Sequence, residues 1–209
     1  MNVILLCIYL AGSAICILRW QSLSVLFRLV ATMFWLTSLV DVLARLTKSP
    51  NSNNLWLYHI YNLALSLLFG FIFQQLLGKQ KQWKWLKYFF VALLVWGLLN
   101  VLFVQSLAEL PSYLITPLNL LVIISALLVL RYMLDEPESR ILLKQSRFWL
   151  CAAFLIYQSS SLFYWTIYNY LSFESGGMLL QVNVLMCLIY YSALGWSVEL
   201  NARENIAHG

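Results

Sequence analysis

Seven long apolar runs, separated by short polar connectors, constrain this chain more than any other feature of it. They cover about residues 2–18, 23–46, 55–77, 85–105, 112–133, 147–171 and 177–199. Crossing the roughly 30 Å hydrocarbon core of a bilayer takes about 20 predominantly apolar residues, and only helices or closed barrels satisfy the backbone there. The runs are continuous and do not alternate every second residue, so they predict helices and argue against a barrel. Composition agrees, because 62% hydrophobic and 10% charged residues lie far from the roughly 25% charged of a soluble domain. The expected fold is all-α: a polytopic membrane protein, one seven-transmembrane-helix bundle, with residues 200–209 as a short cytoplasmic tail. Met1–Leu18 lacks the basic start of a signal peptide and is read as a retained first helix.

The connectors carry stop and start signals. Residues 48–54 form a turn cluster whose last member, Asn54, is expected to cap the third helix. Gly78 and a basic run close that helix, and residues 135–140 stop the fifth. Ser175-Gly176-Gly177 reads as the tight turn before the seventh. No stretch is left over for a soluble domain.

Lys and Arg fix the expected orientation. Alternate connectors hold Arg19, Arg28, Lys79, Lys81, Lys84, Lys87, Arg131, Arg140, Lys144, Arg147 and Arg203 on one side, against Arg45 and Lys48 on the other. By the positive-inside rule the amino terminus is expected outside and the carboxyl terminus in the cytoplasm. The net charge of +5 follows from the same distribution, which forms no basic face for nucleic acid. Within it, Lys79, Lys81, Lys84 and Lys87, and Arg140, Lys144 and Arg147, form basic clusters suited to anionic headgroups or an acidic partner surface. Cysteines 7, 16, 151 and 187 all fall inside apolar runs and show no CxxC pair, so they read as small buried side chains.

Ionisable residues inside a span mark candidate functional sites, because burying them costs about 2.5 to 3.5 kcal/mol at a helix centre. Asp41 and His59 qualify, and helix geometry puts them at similar depth on neighbouring helices. Two arrangements are open. In one, Asp41 holds His59 as imidazolium and the pair senses pH or binds a polar ligand. In the other, Asp41 pairs with Arg45 one turn on and His59 bonds a backbone carbonyl. Polar residues gather around them: His59, Asn62 and Ser66 share a face of the third helix, with Tyr58 beside them, and Tyr157, Ser161, Tyr164 and Tyr168 share one of the sixth. Gln181 and Asn183 open the seventh. These residues sketch a polar, aromatic-lined cavity facing the periplasm that would take a small ligand. The competing reading is ordinary interhelical hydrogen bonding, worth about 0.6 kcal/mol per contact.

What is absent weighs against chemistry. The seventh helix has no lysine for a retinal Schiff base, no second spanning aspartate exists for a paired-carboxylate site, and one spanning histidine is too few for zinc. GxSxG, HExxH and P-loop patterns do not occur, and no metal or cofactor is implied.

Leu57-Tyr58-His59-Ile60-Tyr61, with Phe148-Trp149 and Phe154-Leu155-Ile156-Tyr157, gives the chain a resemblance. In these patches, under a fifth of its length, it resembles a group of small, functionally uncharacterised seven-helix membrane proteins of Bacteroidota. That group is often encoded beside sensor histidine kinases, so the resemblance implies a signalling association and transfers no catalytic residue. The expected function is that of a non-enzymatic, receptor-like or accessory subunit of a membrane signalling complex, whose partners are the lipid bilayer, a small ligand and a membrane protein such as a sensor kinase. A small-solute or ion transporter is the second reading, and an intramembrane enzyme the third.

Overall fold

The computed structural model describes residues 3–47, 54–77, 83–135, 142–168 and 176–208. Among the described residues there are seven α-helices and no strand: α1 Val3–Leu18, α2 Val25–Leu46, α3 Trp56–Leu77, α4 Leu86–Leu99, α5 Ser112–Asp135, α6 Ser146–Tyr168 and α7 Gly176–His208. Five stretches, Val25–Leu46, Trp56–Leu77, Leu86–Val104, Ser112–Asp135 and Gln181–Ile206, are long and apolar enough to cross a membrane. The described 16 residues of α1 span about 24 Å at about 1.5 Å per residue.

Each helix packs on its neighbour in sequence, and α1 closes against α7. Because α3 also touches α5, α4 is left on the outside of the groove between them. Its Val91, Val95, Leu98 and Leu99 are exposed. Large apolar side chains point outward from every helix, a surface suited to acyl chains and unsuited to water. Inside, packing relies on rings: Phe69, Phe73 and Phe154 are fully buried, with Phe69 edge-on to Phe154 at 5.2 Å and Phe73 stacked on Phe90 at 5.9 Å. Lipid tails are as apolar as leucine, so such dispersion contacts and shape fit, more than water exclusion, hold helices together in lipid. Where α1 crosses α2 the fit leaves no room for a side chain, since a Cβ on Gly12 would run into the Phe34 ring.

A proline inside α5 is turned to use. Pro117 has no N–H for the Tyr113 carbonyl four residues back. The indole N–H of Trp96 on α4 donates to that carbonyl instead, at 3.1 Å. Beyond α4 the backbone widens into a π turn over Asn100–Val104. Buried Asn100 donates there to the Gln105 side chain at 3.2 Å, and Gln105 donates to the Leu110 carbonyl and to Ser112. That network shapes the connection into α5.

The Asn54 amide donates to the Ala44 carbonyl at 2.6 Å, at the end of α2, while its backbone carbonyl accepts from the Leu57 N–H in the first turn of α3 at 3.2 Å. One expectation is corrected at a helix end. Residues 200–208, expected as a tail, are helical. The reason lies in their contacts. Asn201 accepts from the backbone N–H and hydroxyl of Ser24, the N-cap of α2, at 3.0 and 3.1 Å. Glu204 does the same for Ser146 at the start of α6, at 2.8 and 2.6 Å. Asn205 donates to the Ser22 carbonyl at 2.8 Å. Glu199 receives a two-pronged bond from Arg19, both arms 3.0 Å, and a third from Arg203. The end of α7 thus laces the α1–α2 connection and the head of α6 together.

Candidate functional site

The inward face of α3 is built as its spacing predicts: His59, Asn62 and Ser66 are all buried. Ser66 donates to the Asn62 carbonyl at 2.8 Å, and Asn62 donates to the Tyr58 carbonyl at 2.7 Å. Both bonds run back one turn along the helix, which uses the Ser66 proton and one Asn62 N–H locally.

Asp41 and His59 are not joined to each other. Buried Asp41 accepts from Arg45 Nε at 3.0 Å, one turn on and one-third exposed. His59 Nε2 lies 2.9 Å from the Glu109 carbonyl; a carbonyl only accepts, so this nitrogen carries the proton. His59 Nδ1 is buried and has no partner among the described residues. The ring therefore ties α3 to the α4–α5 connection. Of the two arrangements open from the sequence, this is the second.

Between α2, α3, α5, α6 and α7 lies a cavity of about 170 Å³. Four residues expected at a site line it: Tyr58, Asn62, Tyr157 and Ser161. Asp41, His59 and Ser66 are buried beside it without lining it. Tyr164 and Asn183 are half-buried and Gln181 exposed, none of them on the cavity wall; Tyr164 shares the face of Tyr157 and Ser161 but stands about a turn further along α6. The side chain of Tyr168 lies outside the described residues, as do Lys79, Lys81 and Arg140. Lys84, Lys87, Lys144 and Arg147 are exposed. Lys84 and Lys87 edge a separate slot of about 150 Å³ between α3 and α4.

The wall also contains residues outside the expected site: Thr37, Tyr61, Asn119, Gln158, Tyr190 and Tyr191. Thr37 donates to the Met33 carbonyl at 2.8 Å, which uses its only proton, so the Tyr61 hydroxyl, 3.0 Å away, must be the donor of that pair. Tyr191 from α7 lines the same wall. Tyr190 stacks on Tyr157 at 4.4 Å with ring planes 16° apart, and both residues line the cavity. Asn119 donates to Ser161 at 3.2 Å and is 4% exposed. Gln158, also 4% exposed, has no side-chain hydrogen bond among the described residues and faces the cavity. No lining residue is charged. A tandem Tyr190-Tyr191 and an amide three residues before Ser161 were the available signals; each looks like routine helix content until a partner helix is placed against it.

Among the described residues no group of three or more His, Cys, Asp or Glu is arranged to hold a metal ion. Comparison with protein-family models, curated proteins and solved structures finds no match for the chain.

Proposed function

We propose that this chain is a multi-pass protein of the bacterial inner membrane that crosses the bilayer seven times, amino terminus outside, and acts as a receptor-like or accessory component of a membrane signalling complex. The cavity carries the reading. A buried amide without a partner is costly, and a space of this size, enough for about one ring, is where a small molecule would satisfy it. Asp41 is engaged by Arg45 and His59 by a backbone carbonyl, which supports a non-enzymatic role. The exposed Lys84, Lys87, Lys144 and Arg147 would meet anionic headgroups, or an acidic partner such as a sensor kinase.

A transporter of small solutes or ions is the second reading. Pro117 interrupts α5 beside cavity residues Ile115, Leu118 and Asn119, as a moving helix would require. Reconstitution into sealed proteoliposomes separates the two. A receptor gives no solute or ion flux above empty vesicles, and gentle detergent extraction brings down a stoichiometric membrane partner. Saturable flux without such a partner would replace the receptor reading by the transporter one.

A further inference from the structure

We infer that the cavity selects a neutral, planar molecule about the size of one substituted ring, carrying both a hydrogen-bond acceptor and a donor, and that Gln158 recognises it. The inference rests on the reading of the cavity as a ligand site and adds the class of ligand. Size comes first. An apolar cavity of about 150 Å³ accommodates benzene, and this one measures about 170 Å³. Shape follows from the stacked Tyr157 and Tyr190 rings that line the cavity, beside which a further ring packs in offset or edge contact.

Charge is decided by what the wall lacks. None of its residues is ionic; the neighbouring ion pair, Asp41 with Arg45 Nε at 3.0 Å, does not line it. An ion entering would shed water and find no counter-charge, a penalty that a neutral isostere escapes. Polarity is decided by what the wall offers. Asn62 and Asn119 each give one N–H, to the Tyr58 carbonyl and to Ser161, and their oxygens remain as acceptors. Gln158 is spent on nothing, so it presents an N–H pair and a carbonyl together. A ligand satisfying this wall must therefore both accept and donate, as a primary carboxamide on a ring does.

Benzamide, benzoate and benzylammonium, matched in size and differing in charge, test the inference on the full chain in lipid nanodiscs. Ligand-observed NMR titration is expected to show benzamide binding at least tenfold tighter than either ion. Gln158→Leu should weaken benzamide tenfold or more while keeping or raising the thermal midpoint, because it removes an unpaired buried amide without changing volume much. If an ion binds as well as benzamide, the neutral class is overturned and the cavity remains a ligand site. If Gln158→Leu is folded and binds benzamide as the parent does, the role of Gln158 is overturned. If none of the three binds, water is the occupant and both readings fall. The comparison among the three ligands on the parent chain decides the class even where the variant does not fold.

Discussion

Asp41 shows how little a buried charge says until its partner is known. Its carboxylate is 6% exposed and its partner Arg45 34%, so the two sides of the pair are unequal. Remove Asp41, and Arg45 can turn its guanidinium toward water or headgroups; remove Arg45, and a carboxylate is stranded. We expect Arg45→Ala to cost about 2 kcal/mol, less than the roughly 3 to 5 of a fully buried pair, and Asp41→Asn about half as much. Equilibrium unfolding of the two variants and of the double variant checks the ranking; a larger loss for Asp41→Asn would refute it. At this scale the sequence exposed the right residue types and left their pairing open. Asp41 had an arginine one turn away and a histidine across a short loop, and helix periodicity cannot choose between them. What decided it was the Glu109 carbonyl, a backbone atom that no side-chain pattern reveals.

Among the elements, α7 departs furthest from its sequence reading. Residues 200–208 carry charge and amide groups, which in an apolar chain look like a solvated end. They are instead the acceptors and donors that finish α2 and α6. An N-cap acceptor is worth about 1 kcal/mol, with a further few tenths for a negative charge at a helix start. Glu204→Ala should therefore lower stability by about 1 to 2 kcal/mol, and Glu204→Gln, which keeps an acceptor oxygen, by less. Hydrogen exchange at the first turn of α6, measured in nanodiscs, should rise in the alanine variant. Unchanged exchange there would mean that the helix start does not depend on Glu204. The reason the lacing was invisible is distance along the chain: Glu204 and Ser146 are 58 residues apart, and Asn201 and Ser24 are 177. Helix positions, by contrast, were legible, because apolar run length and connector chemistry are local. Pro117 falls between these cases. Its missing N–H was readable, but the indole that answers it stands on another helix.

For the whole molecule, the arrangement makes a prediction about sidedness. The α1–α2 connection, the head of α6 and the end of α7 meet at one end of the bundle. Single cysteines introduced near Lys84 and Lys144 and at the carboxyl terminus of a cysteine-free parent should all be shielded from a membrane-impermeant thiol reagent added to intact cells, while one near Glu109 should react. Labelling of the first three from outside would invert the proposed orientation. The lacing also has a consequence in time. Asn201 is polymerised 177 positions after the serine it caps, which at about 5 to 20 residues per second is on the order of ten seconds or more. Throughout that interval α2 exists without the acceptor that completes its first turn, and α6 waits likewise, though more briefly, for Glu204. A ribosome paused before these codons would hold an open-sided bundle, recognisable to a quality-control protease by its frayed helix starts. Synthesis of the final turns of α7 is then the event that turns a set of inserted helices into a closed protein.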